Sequence, residues 1–227
     1  MAPAALFDVD GTLLDTNYLH TVAWAEALAQ YDHHPAMARI HRAIGMGGDQ
    51  LLDELLGPDR DPSQDEEISA AQKALYGRFW PRLRAFDGAA ALLRAVTARG
   101  WTVVLASSAS GRDLEVMRRA LGADDAITEA TSADDVRQSK PAPDLVHAAL
   151  DKAGARTDEA VFVGDTLWDV QAAAEAGVPC IAVLSGGWSA RDLRAAGALE
   201  VHRDVAALLA DLSNSALGRP LAQPRGE

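Results

Sequence analysis

Short, nearly continuous apolar runs recur along the chain, at Ala4 to Phe7, Thr102 to Ala106, Ala160 to Val163 and Cys180 to Leu184, with a weaker one near Ala198 to Val201. Runs without strict alternation predict strands covered on both faces, as in a parallel sheet. Between them lie segments with helical spacing at 89–99, 111–121, 144–153 and 168–176. Strand and helix alternate from about residue 86 to 210, which predicts an α/β fold with a doubly wound, Rossmann-like parallel sheet.

The interval 17–83 breaks this alternation. Its segments YLHTVAWAEALAQ, AMARIHRAIG, DQLLDELLG and SQDEEISAAQKALYGRFW all read as helices, separated by HHP, GMGG and GPDRDP, which are turn signals. The expected organisation is an α/β catalytic core of residues 1–16 and 84–213 with an all-helical cap of residues 17–83 inserted after the first strand. Residues 214–227, within SNSALGRPLAQPRGE, mix Pro, Gly and polar positions and are expected to form a flexible tail.

Charge narrows the partners. The net charge is −12 with no run rich in Lys or Arg, so nucleic acid is an unsuitable partner. An anionic substrate then requires a metal ion or a few placed cations to reverse the field locally. Cys180 is the sole cysteine and sits in the apolar run VPCIAVL, where a buried, inert thiol is expected. No apolar stretch approaches the roughly 18 residues of a membrane helix, and the N-terminus lacks the basic flank and apolar core of a signal peptide. A cytoplasmic enzyme without membrane contact is expected, with monomer and homodimer both open.

In open parallel sheets ligands bind beyond the carboxyl ends of the strands, and the residues there form a coherent set. The first run ends in Asp8-Val9-Asp10-Gly11-Thr12, the second in Ser107-Ser108, and the third in Gly164-Asp165 with Asp169 four positions on. Asp8 and Asp10 would repel each other in a continuing strand; Gly11 supplies a turn that separates them. A divalent cation held by Asp8 and Asp165 would relieve the remaining repulsion, and Mg²⁺ favours such oxygen ligands. Lys140, in Ser139-Lys140-Pro141, is one of three lysines beside 18 arginines, which suits a compact point charge. Ser107 and Ser108 are in position for phosphate oxygens.

With DVDGTLLD, LASS, SKPAPD and GDTLWD in order, the chain resembles the haloacid dehalogenase superfamily, in its phosphatase branch with a helical cap. The resemblance implies a Mg²⁺-dependent phosphomonoester hydrolase of a small phosphorylated metabolite, of phosphoglycolate or sugar phosphate type. It implies Asp8 as nucleophile forming an aspartyl-phosphate, Asp10 as acid and base, and Ser107 and Lys140 as further catalytic groups. Mg²⁺ would bind Asp8, the Asp10 carbonyl and Asp165, with Asp169 in support. Gly11, Thr12 and Ser108 would meet phosphate. Within the cap, Arg42 and Gly45 of HRAIGMGGDQ and His20 on the first helix would meet substrate, whereas Trp24 suits core packing. Trp188 is open between the rim of the site and loop anchoring, and Asp15 has only a helix-capping role to offer.

Asp10 stands where the superfamily's dehalogenases have tyrosine and its phosphonatases alanine, which disfavours both chemistries. A hexose-phosphate mutase of the β-phosphoglucomutase kind shares the same core and is the alternative. A phosphorylation receiver or idle binding module is remote, since a receiver has no reason for DxDGT.

Overall fold

The computed structural model describes residues 2–132, 135 and 138–218. Six strands form one parallel sheet: β1 (Ala4–Phe7), β2 (Thr102–Leu105), β3 (Glu129–Ala130), β4 (Ala160–Gly164), β5 (Cys180–Val183) and β6 (Glu200–His202). Their order is β3-β2-β1-β4-β5-β6. Phe7 is in register with Leu105 on one side and Val163 on the other, so the chain reverses its direction of winding beside β1. The α/β doubly wound reading holds.

The continuous apolar runs are explained by burial on both faces. Phe7, Val103, Leu105, Val161 and Val163 join one cluster with helices α5 (Ala89–Thr97), α6 (Gly111–Leu121) and α10 (Val205–Ala210). Leu6, Val104, Phe162 and Ala182 join the other with α7 (Asp144–Ala153), α8 (Leu167–Glu175) and α9 (Ala190–Ala195). Each fully buried Leu, Val or Phe contributes roughly 1.5–3 kcal/mol relative to exposure. No helix of the described residues is long and apolar enough to cross a membrane.

Between β1 and α5 the chain forms α1 (Asn17–Ala29), α2 (Met37–Ala43), α3 (Gly48–Leu56) and α4 (Asp65–Gly77). These close around their own core of Trp24, Leu28, Ile40, Leu51, Leu52 and Ile68. The outgoing and returning chains run side by side: Asp15 N donates to Arg84 O at 2.9 Å and Phe86 N to Leu13 O at 2.9 Å. Asp15 serves this crossing through its main chain; the residue before α1 is Thr16, and no side chain caps that helix.

The C-terminal segment departs from the expected flexible tail. Residues 219–227 lie outside the described residues, but Ser215 and Leu217 are buried, and Ala216 N donates to Glu200 Oε1 at 2.8 Å. Leu217 belongs to the same cluster as Leu208 and Leu212, so one apolar residue anchors an otherwise polar stretch. Leu217→Ala is expected to lower unfolding free energy by about 2–5 kcal/mol in urea denaturation; a change within experimental error would show that this segment contributes nothing to the core.

Candidate active site

The strand order brings the loops after β1, β2 and β4 to one crevice, the switch point at which open α/β sheets bind ligands. Asp8 follows β1, Ser107 follows β2 and Asp165 follows β4, while Asp169 sits in the first turn of α8. Lys140 lies on the loop that leads into α7.

Lys140 Nζ donates to Asp8 Oδ1 at 2.7 Å and to Asp169 Oδ1 at 2.8 Å, with all three side chains buried. Asp169 Oδ2 in turn accepts from Thr166 N at 3.0 Å and Thr166 Oγ1 at 2.6 Å. Asp169 is thus both the third-position member of the capping box of α8, whose N-cap is Thr166, and the anchor of the lysine. Burial works against the Lys140 charge, but the negative charges of Asp169 and Asp8 outweigh it and raise its pKa. Burial raises the Asp8 carboxyl; Lys140 offsets part of this, Asp169 and Asp10 add to it, and the pKa stands at about 7.

Among the described residues Asp165 has no cation of its own. Its Oδ1 accepts from Thr12 Oγ1 at 2.7 Å and its Oδ2 from Asn17 Nδ2 at 2.9 Å, yet burial, followed by the charges of Asp169 and Asp8, holds its pKa well above the ordinary value. Gly11 makes this packing feasible: its φ is +80°, and a Cβ there would lie 2.4 Å from Asp165 Oδ2. Carboxylate oxygens of Asp8, Asp165 and Asp169 lie within 4.8 Å of one another. A buried set of hard oxygen donors carrying uncompensated like charge fits a Mg²⁺ ion. Asp169, whose two oxygens are taken by Lys140 and Thr166, supports this set from behind.

The Asp10 carboxylate points the other way, toward the helical insertion. Its Oδ1 accepts from Thr16 Oγ1 at 2.6 Å and from His20 Nε2 at 3.1 Å. Gln72 Nε2 lies 3.4 Å from the other ring nitrogen of His20, and the ring stacks on Tyr76 at 3.9 Å. Burial raises the Asp10 carboxyl, but the electrostatic pull and hydrogen bond of His20, with the bond from Thr16, bring its pKa below the ordinary value. Asp10 and His20 open onto a cavity of about 330 Å³ that is also lined by Trp24, Gly48, Ser69, Lys73, Ser108 and Met117.

Several expected ligands are placed differently. His20 has both ring nitrogens engaged by protein groups, so it orients Asp10 and has no nitrogen left for substrate. The Thr12 hydroxyl is likewise committed to Asp165. Arg42 does not line the cavity: its guanidinium lies 4.4 Å from the ring centroid of Trp188, and its carbonyl accepts from Trp168 Nε1 at 3.1 Å. Trp188 is half-buried, its ring taking the Arg42 guanidinium and meeting the ring of Trp168 edge-on at 6.2 Å. Gly45 packs on Thr166 and Trp168. Trp24 belongs to the insertion's core and also presents an edge to the cavity. Ser107 is buried, with Oγ accepting from Ala109 N, while Ser108 is exposed at the cavity. Cys180 is buried, and burial drives its thiol pKa well up.

Asn17, Thr16 and Thr166 stand next to the recognised motifs and were legible as neighbours of DVDGTLLD and within GDTLWD. Thr131, whose hydroxyl donates to Ser107 O and accepts from Ser107 N, both at 3.0 Å, carried no such signal. Asp49 was also missed: its Oδ1 accepts from Ser139 Oγ at 2.6 Å. A Cβ at Gly47 would fall 2.2 Å from Ser139 Cβ, so the turn before α3 can meet the Lys140 loop only through glycine.

The model of the haloacid dehalogenase-like hydrolases matches residues 2–177. A phosphoglycolate phosphatase of Rhodospirillum rubrum is 32% identical over 217 residues, covering 92% of this chain and 90% of its own. The crystal structure of a hydrolase from Pseudomonas syringae aligns with a TM-score of 0.89 at 36% identity, covering 94% of this chain and 99% of that one. A β-phosphoglucomutase-like protein from Bacteroides vulgatus shares the fold, with a TM-score of 0.85 at 22% identity over 98% of this chain and 91% of its own.

Asp8 fixes the sign of one pH effect. Its ordinary pKa is 3.8 and its folded pKa about 7, so between these values the unfolded state holds fewer protons and stability declines as pH rises. In chelator-treated protein the urea midpoint is expected to fall from about pH 4 to about pH 7. Asp8→Asn should reduce that slope, with Asp165 supplying the remainder. Parallel slopes for the two proteins would remove Asp8 as a source.

Proposed function

The chain belongs to the haloacid dehalogenase-like hydrolases and is an enzyme of phosphatase type, and from that premise we propose that it hydrolyses a small phosphorylated metabolite, with Mg²⁺, through an aspartyl-phosphate on Asp8. The observation that carries this reading is the division of labour between two acids two positions apart. Asp8 is buried with one oxygen held by Lys140, and Asp10 faces the cavity with both of its donors on Oδ1.

Asp8, Asp165 and the main-chain carbonyl of Asp10 would hold Mg²⁺, whose charge offsets the repulsion between a carboxylate nucleophile and a phosphate. That repulsion is roughly 4 kcal/mol per charge pair at 4 Å and an effective dielectric near 20. Lys140 holds the attacking carboxylate in one orientation and keeps a positive charge against the transferring oxygens. Asp8 attacks phosphorus, the bond to the leaving oxygen breaks, and Asp10 donates a proton to that oxygen. Water activated by the resulting Asp10 carboxylate then cleaves the acyl phosphate and regenerates Asp8.

Asp10 with a lowered pKa is a carboxylate at neutral pH in the free protein. A phosphate dianion beside it disfavours that charge and raises its proton affinity, so its acid role belongs to the substrate complex. His20 and Thr16 hold the group on one oxygen and leave Oδ2 toward the cavity. The helical insertion acts in this reading as a cap that supplies His20, Gln72 and Tyr76 behind the acid.

Phosphate release from a broad panel of phosphomonoesters is expected with Mg²⁺ and absent with chelator. Asp8→Asn should lose at least about 10³-fold in kcat while remaining folded by circular dichroism, and fluoroberyllate should protect Asp8 from carboxyl modification, read by mass spectrometry. Turnover retained in Asp8→Asn rules out the nucleophile assignment; interconversion of glucose phosphates without phosphate release would move the chain to the mutases.

A further inference from the structure

We infer that Lys73 selects phosphomonoesters whose leaving group carries a second anionic group; this deepens, and rests on, the phosphatase reading above. Helix α4 presents Ser69, Gln72, Lys73 and Tyr76 to the Asp10 cavity, positions that share one helical face. Gln72 and Tyr76 are committed to His20, by hydrogen bond and by stacking. The Ser69 hydroxyl and the Lys73 ammonium have no hydrogen bond or ion pair among the described residues.

A surface lysine on a helix commonly pairs with an acid three or four positions away. Lys73 has none, because those positions are Ser69, Ala70, Tyr76 and Gly77. Its surroundings in the cavity are the reverse of neutral. The other charged residues of the lining are Asp10, Asp49 and Asp113, each already accepting from protein donors: Asp49 from Ser139, and Asp113 from Trp80 Nε1 at 3.0 Å and from Ser110. Lys73 is the one lysine or arginine among the lining residues, and the other basic group there, His20, is already engaged by Asp10.

This arrangement orients a substrate. With phosphorus at Asp8 and the leaving oxygen at Asp10, an anionic tail is repelled by the carboxylates over most of the lining and settles at the α4 edge. Lys73 also borders an adjoining cavity with Arg112 and Asp113; the Arg112 guanidinium lies 4.7 Å from the Trp80 ring centroid, so a second cation stands beyond Lys73. The free hydroxyls of Ser69 and Ser108 suit the polar stem of the leaving group. A terminal carboxylate and a terminal phosphate satisfy the same ammonium.

Three length-matched probes separate these cases: n-propyl phosphate, its analogue with a terminal carboxylate, and its analogue with a terminal second phosphate. Wild-type protein is expected to favour the anionic probes. In Lys73→Met the ratio of kcat/KM for anionic over neutral probe should fall by about 10- to 100-fold, through KM, and further in Lys73→Glu. The probe that loses more identifies carboxylate or phosphate as the tail. An unchanged ratio, or a fall in kcat equal for all three probes, overturns the role of Lys73 and leaves the phosphatase reading standing. No phosphate release by wild-type protein from these probes or the broad panel overturns the phosphatase reading itself, and the Lys73 inference with it.

Discussion

The ammonium of Lys140, held between Asp8 and Asp169 at 2.7 and 2.8 Å, is the contact around which the crevice is organised. Three carboxylates within 4.8 Å of one another would otherwise be a large electrostatic load in a buried site, since removing charge from water costs several kcal/mol per ion. One lysine cannot neutralise three acids, and the residue of that imbalance is visible in the raised Asp8 and Asp165 carboxyls. Stability alone would favour fewer acids. Retaining them makes sense under the proposed reading, in which the unspent negative charge would hold a cation and attack an electrophile.

Topology delivers these groups without long loops. Because β1 lies between β2 and β4, residues one or two positions past three different strands converge, and each is oriented by a short-range device. Gly11 turns the chain so that Asp8 and Asp10 diverge, the cap of α8 fixes Asp169, and Thr131 beside the end of β2 fixes Ser107. The two-position spacing of Asp8 and Asp10 thus yields two environments. One is buried and cation-paired, with a raised pKa; the other is hydrogen-bonded by Thr16 and His20, with a lowered one.

Most of the sheet was legible because buried parallel strands read as unbroken apolar runs, and helices α6 and α7 because their apolar spacing and flanking glycines agree. Strand β3 was not, since Glu129 and Ala130 have no apolar signature and are strand by virtue of pairing with Val104 and Leu105. The charged centre was legible through its motifs, including Lys140, conspicuous among so many arginines. The surrounding shell was less so. His20 and Arg42 carry chemistry that suits a ligand, and only three-dimensional neighbours reveal that Asp10, Gln72 and Trp188 have already engaged them. Leu217 was hidden by the polar company it keeps.

Both loops that carry the central charges also carry the insertion. Ser139, adjacent to Lys140, donates to Asp49, and Trp168, adjacent to Asp169, donates to the carbonyl of Arg42. Gly45 and Gly47 permit these approaches at Thr166 and Ser139. The cavity is consequently a composite, with its charged floor from the sheet and its Asp10-orienting wall from α1 and α4. Moving the insertion away would release Asp10 from His20 and free the neighbours of Lys140 and Asp169 in the same displacement. Asp10, Lys140 and the cavity wall therefore form one mechanical unit, which is why residues far apart in the chain must be considered together.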